Sequence, residues 1–312
     1  MDKVKTDYHV HPNYSIDASP AAIKDYCYKA LDLGLAEICF TTHLELDPER
    51  RDKGNFVMVN GEKRPACHFN WLDSYFAEIT RMQAELKSSP LAVKAGLVIG
   101  YCPCVEKEIE RIVHDYPFDF ILGAIHCLEH ISISSQKESP SYFGSRTAAQ
   151  VRDEYFGLLS EAVKTGFFDC IAHVDLYRRY GFNYLGLAVH TLHRGAIEPV
   201  FTELSRRGMG LEINTSSRRR GLKEFHPSTE ILKLAVKSGI RVFTVGSDAH
   251  APDELGQGIA EALAMLDELQ VANHVFTRRK AIPCPARPGK GLQNPSDRPE
   301  PEQALQVSDG CQ

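Results

Sequence analysis

Residues 240–250 read IRVFTVGSDAH, an apolar run rich in β-branched residues that ends in Asp248 and His250. Short apolar runs of this kind are typical of buried strands. Other such runs also end in histidine: His9 and His11 in DYHVH, His43 in CFTTH, His126 in ILGAIH and His173 in CIAH. In a parallel α/β barrel the carboxyl ends of all strands meet at one mouth. The sequence therefore predicts that these side chains share one site.

The apolar runs alternate with helical patterns along the chain. Seven strand-like segments are visible: VKTDYHV, AEICFTT, LAVKAGLVIGY, FDFILGAI, FDCIA, MGLEINT and IRVFTVG. Amphipathic helices follow them, such as TAAQVRDEYFGLLSEAVKTG, which ends in glycine as helices often do. Ser19 before Pro20 resembles the start of the first helix. The pattern predicts an α/β barrel with seven strand–helix units, one fewer than the usual eight.

Composition is that of a globular enzyme. Hydrophobic residues make up 43% and charged residues 25% of the 312 residues, and the net charge is −5. This charge gives no basic surface for nucleic acid or an anionic membrane. The nine cysteines show no framework spacing, and no signal or membrane-spanning run is visible, so we expect a cytoplasmic chain with reduced thiols. We expect the folded domain to cover residues 1–272 and the proline-rich residues 273–312 to be a disordered tail.

The paired motifs indicate metal binding. His9 and His11 lie on one face of a strand because strand side chains alternate, and Asp248 and His250 repeat the spacing. Imidazole together with carboxylate suits zinc, iron or manganese. A single strand-end histidine is weak evidence, since most are simply hydrogen-bonded in place. Several at the ends of different strands favour one metal site at the barrel mouth.

These residues bring the chain close to a known family. DYHVHPNYSIDA, FTTHLEL, FDFILGAIH, IAHVDLYRRYG, LEINTSSRRR and VGSDAHAPDELG resemble, in order, blocks of the polymerase-and-histidinol-phosphatase (PHP) superfamily. Within it the chain is most similar to the histidinol-phosphate phosphatases, over roughly residues 5 to 265. The resemblance implies a distorted seven-stranded TIM-like α/β barrel. It also implies a metal-dependent phosphatase that converts L-histidinol phosphate to L-histidinol and phosphate in histidine biosynthesis.

The resemblance also implies a ligand set for two or three divalent ions of zinc, manganese or iron. One ion would be held by His9, His11 and Asp248, a second by His126 and His173, and a third by His43 and His250 with Asp17. The bound ions would make hydroxide available at neutral pH and offset charge as it attacks phosphorus. The sequence does not indicate an oligomeric state.

The third strand departs from the family pattern at two positions. The third strand of relatives normally carries a glutamate that bridges two metals, in a block resembling GIEVDY. Here the matching segment is GLVIGY, residues 96–101, with Val98 at the glutamate position and Gly100 at the following aspartate position. Valine cannot bind a metal. Two alternatives therefore stay open: a phosphoesterase that acts on another small phosphomonoester or a nucleotide, and a degenerate barrel that binds metal but turns over slowly or not at all.

Cations beyond the metals are expected to bind the phosphate. Arg178 and Arg179 follow the His173 strand and Arg218 follows EINTSS, so both loops would face the mouth. Arginine offers a planar fork that fits phosphate oxygens. We expect Arg219 and Arg220 to be solvated, as charge runs usually are. Glu212 and Asn214 share one strand face and are candidates for contact with the substrate's ammonium or imidazole, although a structural hydrogen-bond role is equally open for Asn214.

Overall fold

The computed structural model describes residues 4–284. The strands of this part are β1 (Thr6–Val10), β2 (Glu37–Leu44), β3 (Phe56–Val59), β4 (Glu62–Pro65), β5 (Ala92–Gly100), β6 (Phe120–Ala124), β7 (Cys127–Leu128), β8 (Ile131–Ser132), β9 (Cys170–Ile171), β10 (Gly210–Asn214), β11 (Phe243–Gly246), β12 (His274–Thr277) and β13 (Lys280–Pro283). The helices are α1 (Ile23–Asp32), α2 (Trp71–Glu85), α3 (Glu106–Asp115), α4 (Ser139–Phe143), α5 (Ala148–Thr165), α6 (Arg178–Leu185), α7 (Ile197–Arg207), α8 (Ser216–Arg219), α9 (Thr229–Lys237) and α10 (Ile259–Glu268). No helix within residues 4–284 combines the length and the apolar character needed to cross a bilayer.

Seven parallel strands form the barrel in the order β1-β2-β5-β6-β9-β10-β11. Its two ends meet just beyond the strands, where His11 N donates to Ala249 O (2.8 Å) and Ala249 N donates to His9 O (3.3 Å). The closing contact therefore lies between the two motifs that carry His9, His11, Asp248 and His250. The predicted seven-stranded α/β barrel is confirmed.

Alternation along the strands divides the core in two. Outward-facing residues such as Leu97, Ile99 and Ile121 pack against the surrounding helices. Inward-facing residues fill the barrel below its mouth, and they include Tyr8, Cys39, Val98, Phe120, Leu122 and Cys170. This largely apolar filling lies beneath the histidines and carboxylates at the carboxyl end of the barrel.

The folded domain extends past the predicted boundary at residue 272. Strands β12 and β13 form an antiparallel hairpin in the segment expected to be tail. Phe276 of this hairpin is buried against Phe120, with ring centroids 4.7 Å apart, and it belongs to the interior cluster. The hairpin therefore closes the amino end of the barrel, and the boundary of 272 is too early. The rest of the predicted tail, residues 285–312, lies outside the described residues.

Two smaller expectations also differ from the structure. Helix α1 begins at Ile23 rather than at Pro20, because the Asp25 carboxylate accepts from Ala22 N at the capping position. Cys102 and Cys104 form a disulfide, against the expectation of reduced thiols; the free cysteines of the described part are Cys27, Cys39, Cys67, Cys127, Cys170 and Cys284.

Candidate metal centre at the barrel mouth

Five histidines form a closed ring at the mouth, which we call the histidine ring: His9, His11, His43, His126 and His173. Neighbouring ring centroids are 4.9 Å apart for His9–His11, 4.1 Å for His11–His43, 5.3 Å for His43–His126, 5.3 Å for His126–His173 and 5.7 Å for His173–His9. His250 stacks on His11 at 4.1 Å from outside the ring. The structure thus brings together all six histidines that the sequence singled out.

Four carboxylates are spaced around these imidazoles. Asp248 Oδ1 lies 3.1 Å from His11 Nε2 and 3.6 Å from His9 Nε2. Asp17 Oδ2 is 3.3 Å from His250 Nε2 and 3.7 Å from His43 Nε2. Two glutamates complete the set: Glu212 Oε1 is 2.6 Å from His9 Nδ1, and Glu45 Oε1 is 2.6 Å from His126 Nδ1. A side-chain carboxylate oxygen therefore lies within 3.7 Å of a ring nitrogen of His9, His11, His43 and His126.

The donor atoms are spaced for metal ions. One ligand atom from each of His9, His11 and Asp248 lies within 4.8 Å of the others. The same holds for three further triads: His11 with His43 and His250, His9 with His173 and Glu212, and His43 with Glu45 and His126. The first triad is the predicted first set. The assignment of the remaining ligands to particular ions stays a prediction.

Unpaired nitrogens show that a metal fits this site. His9 Nε2, His43 Nδ1 and His173 Nδ1 are buried and have no hydrogen-bond partner among residues 4–284. A buried polar atom without a partner is costly, and a neutral imidazole nitrogen is a common metal ligand. A divalent cation would satisfy these nitrogens. In His9 the other nitrogen faces Glu212, which is the carboxylate–histidine–metal arrangement that fixes a ligand's orientation.

Burial and charge set the protonation of the ring. Burial, together with the neighbouring imidazoles, lowers the pKa of His11 and of His173. Burial also outweighs the nearby Asp17 carboxylate at His43 and lowers its pKa to about 4. These three side chains are therefore neutral at pH 7 and able to bind a cation. At His9 burial opposes charge, but Glu212 and Asp248 outweigh it and raise the pKa to about 9.

Two of the candidate ligands have an unusual backbone conformation. His173 has a φ of 29° and Asp248 a φ of 54°, a region that side chains other than glycine rarely adopt. Backbone strain of this kind persists where the surrounding structure enforces it, and it is common at functional sites. In both cases the chain turns out of its strand at the ligand. The side chain is thereby aimed into the mouth.

The mouth opens into a polar cavity of about 350 Å³. It is lined by Asp17, His43, His126, Ser134, His173, Leu176, Arg179, Arg220, Asp248, His250 and Glu254. A larger cavity of about 590 Å³ lies beside the β3–β4 hairpin, lined by residues such as Leu46, Phe56 and Val105, and contains none of the histidine ring. We therefore place the chemistry in the smaller cavity, which has the volume of a small-molecule site.

The predicted arginines separate into different environments. Arg179 lines the cavity, and its Nε is buried without a hydrogen-bond partner in the described part of the chain. Arg178 is buried elsewhere, with Nη1 donating to Asp175 Oδ2 at 2.7 Å, so the pairing with Asp175 explains its position. Arg218 lies on the Phe225 ring, 4.1 Å from its centroid. Arg220 is exposed, as expected, and also lines the cavity. Arg219 is partly buried, and its Nη2 donates to Ser247 O at 2.7 Å.

Glu212 and Asn214 lie beneath the histidines. Glu212 is buried, accepts from His173 N (3.0 Å) and from Asn214 Nδ2 (3.2 Å), and contacts His9. Asn214 Oδ1 accepts from Ser216 Oγ at 2.7 Å. Both side chains are thus committed to the protein. For Asn214 these bonds agree with the structural hydrogen-bond alternative, and contact of either side chain with a substrate stays a prediction.

Glu45 is the site residue that the sequence reasoning missed. It stands one residue past the end of β2, and its signal was the spacing His43-x-Glu45, which puts both side chains on one face of an extended chain. Burial opposes its ionisation, but His126 and His43 outweigh burial and lower the pKa of the Glu45 carboxyl. The carboxylate is therefore charged at neutral pH.

A mouth built of buried histidines and carboxylates on a parallel barrel defines a class of metal-dependent hydrolases. The family described as "PHP domain" matches residues 7–216. The chain therefore belongs to the PHP family, as its motifs predict.

The relatives to which the chain is similar include histidinol-phosphatases. The chain is 28% identical over 277 residues to a probable histidinol-phosphatase of Deinococcus radiodurans, covering 89% of this chain and 98% of the relative. It is 28% identical over 249 residues to the histidinol-phosphatase of Lactococcus lactis, covering 79% of this chain and 84% of that one. Among solved structures, the Lactococcus lactis histidinol phosphate phosphatase complexed with zinc, L-histidinol and phosphate has a TM-score of 0.71 at 22% identity, covering 89% of this chain and 99% of its own.

Proposed function

We propose that this chain is a metal-dependent phosphomonoesterase that hydrolyses L-histidinol phosphate to L-histidinol and phosphate. The observation that carries the proposal is the histidine ring, with its four carboxylates, at the mouth of a barrel cavity. The names of the full-length relatives agree with it. A barrel of the same fold has been solved with zinc, L-histidinol and phosphate.

We propose that the centre holds two or three divalent ions of zinc, manganese or iron. The expected ligands are His9, His11, Asp17, His43, His126, His173, Asp248 and His250. Bound ions supply hydroxide at neutral pH and offset the negative charge of the phosphate. The chain's part is to hold imidazoles at fixed positions, which Glu212 does for His9 by a 2.6 Å contact at Nδ1.

Side chains around the cavity suit the two ends of the proposed substrate. Arg179 and Arg220 line it and can bind phosphate oxygens. Glu254 lines the same cavity and can pair with the ammonium of an amino alcohol. Charges of both signs in one small cavity favour a substrate that is itself both anionic and cationic. This feature favours histidinol phosphate over a nucleotide, which carries no ammonium.

Phosphate release from L-histidinol phosphate tests the proposal directly. Purified chain is assayed with added manganese or zinc beside a panel of other phosphomonoesters, including a nucleotide. We expect release that a chelator abolishes, with L-histidinol phosphate giving the highest kcat/KM. Faster release from another ester would transfer the proposal to that substrate, and metal binding without any release would favour the degenerate barrel.

The remaining expectations are open to simple tests. The net charge of −5 supports the prediction that nucleic acid is not a partner, which a binding assay at low salt checks. The cytoplasmic location stays a prediction, and fractionation of cells checks it.

A further inference from the structure

The third strand of the barrel, β5, brings no acid to the mouth. Val98, at the position where the resemblance implies a bridging glutamate, is fully buried among interior residues that include Tyr8, Cys39 and Leu122. Two residues further along the same face is Gly100, which has no side chain. A metal centre at this mouth must therefore take its anionic ligand from another strand.

Glu45 fills the space that Gly100 leaves. A Cβ atom at Gly100 would overlap the carboxylate of Glu45, so the two positions are sterically coupled. Register supports this contact, since β2 and β5 are adjacent and His43 pairs with Val98. The absence of a side chain at Gly100 is what allows the Glu45 carboxylate to lie at the edge of the histidine ring.

The carboxylate lies where a metal ligand is needed. Glu45 Oε1 is 2.6 Å from His126 Nδ1, and donor atoms of His43, Glu45 and His126 lie within 4.8 Å of one another. Among residues 4–284, His126 is the one hydrogen-bond partner of this carboxylate, so it retains oxygen lone pairs for another partner. Closely spaced cations repel unless anionic ligands lie between them.

We propose that Glu45 is a metal ligand that replaces the glutamate missing at Val98 and holds an ion together with His43 and His126. The anionic ligand has moved from the third strand of the barrel to the end of the second. The inference rests on the proposed metal-dependent function and deepens it. It also explains why a valine at position 98 is compatible with a complete centre.

A second role for Glu45 makes a different prediction. If Glu45 only orients His126 by accepting from its ring N–H, then glutamine can do the same, because its amide oxygen is also an acceptor. Glutamine lacks the negative charge and is a poor ligand for a divalent ion. Glu45→Gln therefore separates the two roles.

The first experiment measures bound metal rather than turnover. Wild type, Glu45→Gln and the matched control Glu49→Gln are loaded with zinc, freed of excess and analysed for zinc per chain. Glu49 is exposed and lies four residues from Glu45, so it controls for charge and for handling. We expect Glu45→Gln to hold about one ion fewer than wild type and Glu49→Gln to match wild type. Equal zinc in all three proteins, or equal loss in both variants, would overturn the inference.

The second experiment uses the steric coupling. Gly100→Ala adds the Cβ that would displace the Glu45 carboxylate. We expect it to lower zinc content in the wild-type background and to cause no further loss in the Glu45→Gln background, as a double-mutant cycle requires of coupled positions. Additive losses would overturn the inference. Circular dichroism of each variant confirms that folded proteins are compared.

Different results would overturn the metal-dependent function and the role of Glu45. A wild-type chain that takes up no zinc or manganese would overturn the metal-dependent function and the Glu45 role together. A wild type that binds ions and releases phosphate, beside a Glu45→Gln variant with unchanged zinc, would overturn only the role of Glu45.

Discussion

Glu212 illustrates how single residues prepare the centre. It is buried beneath the histidine ring and contacts both His9 Nδ1 and the backbone N–H of His173. Loss of such a supporting carboxylate typically costs about 10–100-fold in metal affinity. We expect Glu212→Ala, which removes the carboxylate altogether, to weaken zinc binding by that amount, measured by competition with a chromogenic chelator. Glu203→Ala, which changes a glutamate on the α7 surface paired with Arg206, should bind zinc as wild type does.

The adjacent arginines Arg178 and Arg179 should behave differently when replaced by alanine. Arg179 lines the cavity, so Arg179→Ala should raise KM for the phosphate ester by about 10–100-fold, the equivalent of one charged hydrogen bond. Arg178 pairs with the buried Asp175, so its removal should cost about 3–5 kcal/mol of unfolding free energy. Steady-state kinetics and urea unfolding measure the two effects. If Arg178→Ala proved stable and raised KM instead, the assignment would be reversed.

The positions of the mouth histidines were largely predictable at the residue scale, and the environments of the arginines were not. Each histidine of the ring ends an apolar run, and strand ends share one edge in a parallel barrel. The role of an arginine depends on partners distant in sequence or on side-chain direction. Arg218 turns onto Phe225, and the sequence gives no sign of that contact. Glu45 escaped notice because it follows the strand by one residue.

At the scale of elements, the β12–β13 hairpin is a structural part of the barrel. Phe276 is buried against Phe120 and Tyr8, and its N–H donates to Tyr8 Oη at 2.6 Å. We expect Phe276→Ala to lower the unfolding free energy by about 3–5 kcal/mol, the usual cost of a Phe-to-Ala change in a core. Ile282→Ala on the same hairpin removes a side chain that is 46% exposed and should cost far less. Similar chemical denaturation midpoints for both variants would contradict this role.

The hairpin could not be predicted because its turn lacks the usual residues. Two-residue hairpin turns with positive φ favour asparagine and glycine, whereas here Arg278 and Arg279 have φ of 48° and 65°. Tertiary contacts hold them: Asp119 accepts from Arg278 N (3.1 Å), and Asp169 pairs with Arg279 Nε (2.9 Å). The seven barrel strands, by contrast, are predicted by their apolar runs. The local sequence pattern was enough to predict the barrel strands, whereas the hairpin depends on contacts with residues distant in sequence.

For the whole molecule, the proposed metal centre links distant parts of the chain. Its proposed ligands range from His9 on β1 to His250 after β11, so bound ions would hold the closing strands of the barrel together. A ligand present at a thousand times its Kd stabilises the folded state by about 4 kcal/mol. We expect chelation to lower Tm by about 10 °C, on the usual relation of stability to Tm. Calorimetry before and after adding back zinc measures this, and an unchanged Tm would contradict a shared centre.

The closed floor of the barrel has a kinetic consequence. Tyr8, Phe120 and Phe276 pack across the amino end of the barrel, so the cavity at the carboxyl end has no second opening through the barrel interior. The ester must therefore enter, and both products must leave, through the same opening at the barrel mouth. Inorganic phosphate would compete with the ester for Arg179 and the centre. We expect product inhibition by phosphate that raises the apparent KM and leaves kcat unchanged. A fall in kcat would show that phosphate also binds while the ester occupies the cavity, which would contradict a single shared site.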